Sequence, residues 1–212
     1  MNTVIDLAAP VTPPPIPERA RVSPGGRPKN ADVRSREHLT DDEVTRLMKA
    51  AGATGRYGAR DAALILLMYR HGLRVCEAVR LRWDAVDLDQ AHLSVTRAKA
   101  GIPSVHPLRG PELRALRNVR RQWPNSPYVF VSERGGPMTT ANVRMMVARC
   151  GRVAKLPFPV HPHQLRHACG FALANAGQDT RAIQHYLGHR NIQHTVRYTE
   201  MAPNRFRNFF PD

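Results

Sequence analysis

The stretch His161–Gly170, "HPHQLRHACG", decides how this chain is to be read. His163 and His167 are four residues apart and so share one face of a helix, the spacing with which a zinc protease presents two ligands. That signature also needs a glutamate directly after its first histidine, to activate water. Here the position is Gln164, and Arg166 sets a fixed positive charge on the same turn. A guanidinium repels a divalent cation and attracts an anion. No metal ligand set is assigned, and the segment reads as a site for a phosphate.

The composition points to a source of phosphates. The chain has 212 residues, 42% of them hydrophobic, and a formal net charge of +15. That is enough for one domain with a real core, and a protein this basic typically meets a polyanion, most often nucleic acid. Only Lys29, Lys49, Lys99 and Lys155 are lysines; the other basic residues are arginines. Cys76, Cys150 and Cys169 are too few and too scattered for a disulfide framework or a metal clip, which suits a reducing cytoplasm and a place at the nucleoid. The longest apolar run, "AALILLMY", is too short to cross a bilayer, and the N-terminus lacks the pattern of an export signal.

Residues 1–35 are rich in proline and lack apolar periodicity, so they are read as a flexible basic tail before a domain over 36–212. In "HLTDDEVTRLMKAAG", Thr40 and Glu43 form a capping box, with Gly52 as the stop. Asp61 is expected to open a second, buried helix, and "RVCEAVRLRW" a short third one. "LSVT" and "SVHPL" flank a turn-prone "AKAGIP", which predicts a β-hairpin with Lys99 near its tip. "YVFV" reads as a third strand. Helices follow over "PELRALRNVRRQ", "ANVRMMVARCGRVAK", "HQLRHACGFALANAG", "DTRAIQHYLG", "HTVRYT" and "NRFRNFF". The expected class is α+β, mostly helical, with a small three-stranded antiparallel sheet.

Six histidines, at 161, 163, 167, 185, 189 and 194, crowd the segment that ends at Tyr198. Ionising an ordinary tyrosine at pH 7 costs about 4 kcal/mol. Nearby arginines would lower that cost and a histidine could take the proton, making the phenol a nucleophile.

Taken together, "GLRVCEAVRLRWDAVDL", "RAKAGIPSVHPL", "HQLRH", "YLGHR" and "TVRYTE" resemble, in order, the motifs of the tyrosine recombinase, or phage integrase, family. The likeness runs from about residue 38 to 200 and leans toward its short, stand-alone fimbrial phase-variation type. The resemblance implies that Tyr198 attacks a DNA phosphodiester and becomes linked to the 3′ phosphate, without metal, cofactor or ATP. It further implies that Arg74 and Arg166 hold the nonbridging oxygens, that Lys99 protonates the departing 5′ oxygen, that His163 assists proton transfer, and that His189 bonds the phosphate. Glu77 is expected to orient Arg74 or a helix, and His167 is the most natural further contact. Most members carry a helical core-binding domain before the catalytic one; a Pro-rich tail stands there here, so accessory DNA-bending proteins are an expected need. Phe206, Phe209 and Phe210 fall at helical spacing, and the family likeness implies a tetramer on paired double-stranded sites linked by exchange of this C-terminal helix. Two alternatives stay open: a DNA-binding regulator that no longer cleaves, and a type IB topoisomerase-like enzyme that relaxes supercoils as a monomer.

Overall fold

Thr40 starts the first helix as its capping box dictates. Its hydroxyl accepts from the Glu43 N–H at 3.3 Å, while the Glu43 carboxylate accepts from the Thr40 N–H at 2.8 Å. The computed structural model describes residues 38–98 and 101–200. Helix α1 (Asp41–Ala53) buries Val44, Leu47, Ala50 and Ala51 on one stripe. Gly52 lies inside α1 and does not end it; the break comes at Thr54, whose backbone is extended.

Helix α2 (Gly58–Arg70) begins three residues before the expected Asp61. Asp61 is buried and accepts from Arg60 Nε at 2.9 Å, so its carboxylate is held by a guanidinium and is not used as a cap. The apolar run of α2 places Ala63, Leu64, Ile65, Leu67 and Met68 out of solvent, each large side chain contributing about 1.5–3 kcal/mol of burial. That near-complete burial makes α2 the central helix, packed against α1, α4 (Gly110–Gln122) and α6 (Pro162–Asn175).

Helix α3 (Val75–Val79) is shorter than expected, and Trp83–Ala85 forms a separate 3-10 turn. The sheet is three-stranded and antiparallel in the order β1 (Val86–Asp87), β2 (His92–Val95), β3 (Ser104–Pro107). Leu93 pairs with Val86 on one side and His106 on the other. The predicted hairpin is therefore present, but its third strand is Val86–Asp87 and not "YVFV". Val129, Phe130 and Val131 are all buried, without the alternation of a half-exposed strand, and only single bridges join Tyr128 to Arg82 and Val131 to Pro137. Pro127 and the turn after Ser132 leave no room for a ladder.

Thr139 caps α5 (Thr140–Val153) by accepting from the Asn142 N–H, and Asp179 caps α7 (Thr180–Leu187) through the Ala182 N–H. Gly188 ends α7 at φ 65°, the left-handed conformation that glycine adopts without cost. Helix α8 (Gln193–Glu200) packs on α6 and α7, and a small cluster of Cys169, Phe171, Ala174, Ile183, Leu187 and Tyr198 lies between them. Cys76, Cys150 and Cys169 are free thiols. Among the described residues no helix is long and apolar enough to cross a membrane.

Candidate active site

The end of α8 delivers Tyr198 into the protein, where the residue is only 2% exposed. It fits because α6 has Gly170 opposite: a Cβ there would lie 2.6–2.7 Å from three atoms of the tyrosine ring. One turn earlier on α6, His167 Nδ1 lies 2.9 Å from the Tyr198 hydroxyl. His163 is exposed on the same helix face, its ring centroid 4.4 Å from that of His167. The four-residue spacing thus brings the two imidazoles together, and His167 is the one that reaches the tyrosine. Among the described residues no group of three or more His, Cys, Asp or Glu side chains is placed to hold a metal ion.

Burial, followed by the charges of His163 and Arg166, pushes the His167 pKa down to about 3. Its ring is therefore neutral at physiological pH, with one nitrogen able to accept the phenolic hydrogen. The phenol itself departs from expectation. Arg166 and Arg197 pull its pKa down, but burial outweighs them and leaves Tyr198 above the usual tyrosine range. The arginines alone do not ionise it, so the phenol keeps its proton unless a base takes it.

Arg166 is 1% exposed. Its guanidinium donates to the Gly72 carbonyl and, at 2.6 Å, to the Leu187 carbonyl. Burial and the nearby Arg74 and Arg97 lower its pKa to about 10, which still leaves it charged. Arg74, at the N-terminus of α3, keeps 24% of its side chain exposed. Its Nη1 donates to Glu77 Oε1 at 2.8 Å, and its backbone N–H to Glu77 Oε2 at 2.9 Å. Burial alone would raise the Glu77 carboxyl; hydrogen bonds from Arg74 and the Ala98 N–H, with the charge of Arg97, hold it below the usual carboxylate range. His189 follows Gly188, is buried, and meets Thr195 Oγ1 through Nδ1 at 2.8 Å. Its ring lies 6.3 Å from that of Tyr198, and burial with the repulsion of Arg166 and Arg74 holds its pKa near 3.

Around Tyr198 the fold therefore gathers His167, His189 and Arg166, with Arg74 and Glu77 joined to Arg166 through the Gly72 turn. Lys99, Phe206, Phe209 and Phe210 lie outside the described residues. Sequence reasoning missed Arg97, whose side chain is wholly buried and pairs with Glu77 at 3.1 Å. In a chain with so many arginines nothing marks one as buried, although its place just before the turn-prone "AKAGIP" was a usable signal.

The phage integrase family model matches residues 37–205. Type 1 fimbriae regulatory protein FimB of Escherichia coli K12 is 44% identical over 181 residues, covering 83% of this chain and 90% of FimB. FimE of the same strain is 42% identical, covering 81% of this chain and 89% of FimE. Tyrosine recombinase XerA of Pyrococcus horikoshii is 34% identical over 80% of this chain and 58% of its own length. Among solved structures, XerA recombinase superposes with a TM-score of 0.71 at 27% identity, over 81% of this chain and 63% of that one. The fold also matches XerH bound to difH, with a TM-score of 0.66 at 22% identity over 77% of this chain and 50% of that one. With a family model spanning most of its length and a relative above 40% identity over 83% of this chain and 90% of its own, this protein belongs to the phage integrase family, whose members include the tyrosine recombinases.

Proposed function

We propose that this chain is a site-specific DNA recombinase that breaks one strand by attack of Tyr198 on a backbone phosphate. The observation that carries the reading is the contact of Tyr198 with a neutral histidine, His167, beside the buried Arg166. Phosphoryl transfer needs in-line positioning and fixed positive charge more than it needs new covalent chemistry. The Tyr198 oxygen forms a bond to phosphorus as its proton passes to His167 Nδ1. The bond from phosphorus to the 5′ oxygen breaks, and that oxygen takes a proton from Lys99, the general acid the family likeness assigns. Arg74, Arg166 and His189 bear the charge that grows on the nonbridging oxygens. His163, which is exposed, would meet the same phosphate from the DNA side. The phosphotyrosine bond keeps the energy of the broken linkage, so a 5′ hydroxyl from a second strand restores the backbone without ATP.

Strand exchange between two sites calls for four protomers, and Phe206, Phe209 and Phe210 form the segment proposed to link neighbours. The domain over residues 36–212 supplies the chemistry, and accessory DNA-bending proteins assist it. A contact resting on phosphates predicts binding that falls steeply with salt. The test is a nicked duplex built from inverted repeats sought in the DNA beside the gene. Wild-type protein should yield a detergent-resistant covalent adduct and Tyr198→Phe none; an adduct in the variant would move the nucleophile elsewhere.

A further inference from the structure

Arg97 is a second buried arginine beside Arg166, and its hydrogen bonds go to backbone carbonyls and to Glu77. Its side chain is 0% exposed, and its guanidinium bonds to α3, to the turn at His71 and Gly72, and to the last turn of α7. Nη1 donates to Glu77 Oε2 at 3.1 Å and to the Gly72 carbonyl at 3.4 Å; Nη2 donates to the His71 carbonyl at 3.0 Å and to the Tyr186 carbonyl. Arg166 uses the same Gly72 carbonyl and the next carbonyl of α7, that of Leu187. Two buried guanidiniums thus lie side by side across the last turn of α7, where free carbonyls and the helix dipole both favour positive charge.

The slot for Arg97 is built by two glycines. A Cβ on Gly188 would come within 2.5 Å of Arg97 Cγ, and one on Gly101 within 2.7 Å of Arg97 Cβ and 2.8 Å of the Gly188 carbonyl oxygen. Since His189 follows directly, the stem of Arg97 sets where that residue begins.

Charge counting gives the arrangement a purpose. The Glu77 carboxylate is shared, one oxygen taking Arg74 at 2.8 Å and the other Arg97 at 3.1 Å. With Arg74 alone, the pair would be neutral and offer a phosphate little attraction. With Arg97 beneath it, Glu77 is compensated from inside the protein, and the outer guanidinium keeps its charge for the ligand. Arg74, Arg97 and Arg166 against Glu77 leave two positive charges facing a diester that carries one negative charge in the ground state and gains a second at the pentacoordinate transition state. Fixed charges that need no rearrangement are the most effective stabilisers of such a change.

We propose that Arg97 is a positioning residue of the phosphate site: it neutralises Glu77 from below, so that Arg74 presents net positive charge to the scissile phosphate, and it shares with Arg166 the carbonyls that aim the second guanidinium. This inference rests on the reading of Arg74 and Arg166 as the phosphate clamp.

The test compares full-length wild type, Arg97→Met and Arg97→Lys. In thermal-shift titrations with inorganic phosphate, Arg97→Met should bind at least tenfold more weakly than wild type, and Arg97→Lys should recover most of the loss; equal binding by Arg97→Met overturns the proposal. On the nicked duplex, Arg97→Met should slow cleavage about 10²-fold, the scale of losing one preorganised donor. A methylphosphonate at the cleaved linkage, which removes one negative charge, should restore most of that rate relative to wild type on the same linkage. Because each ratio compares two linkages in one preparation, it is independent of how much protein is folded. Equal slowing on both linkages would mean a merely structural arginine and overturn the proposal. Failure of the functional reading appears separately, as an adduct that survives Tyr198→Phe.

Discussion

His167 Nδ1 and the Tyr198 hydroxyl are 2.9 Å apart, with Tyr198 buried and His167 partly so. The imidazole is neutral there, so in the proposed reaction it can accept the phenolic proton without first losing one of its own. His167→Gln should lower the cleavage rate by about 10²–10⁴-fold, the range for losing a positioned base, while leaving DNA affinity within a few-fold. Since the His167 pKa is held near 3, its base form persists throughout pH 5–8 and contributes no acid limb there. A single-turnover pH profile checks this: an acid limb near 6.5 that disappears in His167→Gln would show His167 titrating there and contradict its low pKa, whereas an unchanged rate in His167→Gln would contradict its role as base.

Gly170 has a different relation to the same tyrosine. The van der Waals gap between α6 and α8 is already filled by the Tyr198 ring, with no space for one more methyl group. Gly170→Ala should cost about 1–3 kcal/mol, as overpacking of a filled core does, and should displace Tyr198 from His167. Thermal unfolding and the covalent-adduct assay should both fall, while binding to a duplex, which rests on other surfaces, should stay close to wild type. An Ala variant with full cleavage would show that α8 has freedom the packing does not suggest.

Why the motifs were legible and their partners were not follows from the physics of each. "HQLRH" and "YLGHR" are local: helical spacing aligns His163 with His167, and Gly188 marks the end of α7 by its backbone alone. Which of the two imidazoles meets Tyr198 is decided by the packing of α8 on α6, a contact between residues 31 apart in the chain. The hairpin was readable because β2 alternates buried and exposed residues. "YVFV" misled because three consecutive buried residues signal burial on all sides as readily as a strand. Arg97 was hidden for a related reason: its four acceptors come from His71, Gly72, Glu77 and Tyr186, brought together only by the fold.

Lys99, between the described Ala98 and Gly101, is assigned by family likeness to protonate the leaving 5′ oxygen. Lys99→Ala should cleave ordinary DNA about 10²-fold or more slowly. Replacing that bridging oxygen by sulfur, which departs as an anion without a proton, should bring the variant back near the wild-type rate on the same substrate. If sulfur gives no relief, the general acid is another group.

The histidines that make the site chemically useful also make the fold sensitive to acid. His106, His167 and His189 all have pKa values near 3: burial lowers each, and the neighbouring charges of His71 and Arg97 on His106, His163 and Arg166 on His167, and Arg166 and Arg74 on His189 lower them further. Once unfolded, each imidazole returns to a pKa of about 6.5. Below that pH the unfolded chain takes up protons that the folded chain refuses, so stability is full above about 6.5 and falls as the pH drops toward 3. The slope reaches about 1.4 kcal/mol per pH unit for each histidine once the unfolded form is fully protonated. Glu77 and Glu112, whose folded pKa values are held low, add a loss in the same direction, but only below the ordinary carboxylate range. Denaturant unfolding at pH 7.5, 6.5, 5.5 and 4.5 separates the two: the midpoint should already fall between 6.5 and 5.5, before Glu77 or Glu112 titrates. His106→Gln, which removes one of the three groups away from Tyr198, should flatten that part of the curve, and a wild-type midpoint constant from 7.5 to 5.5 would mean these rings are protonated in the folded protein.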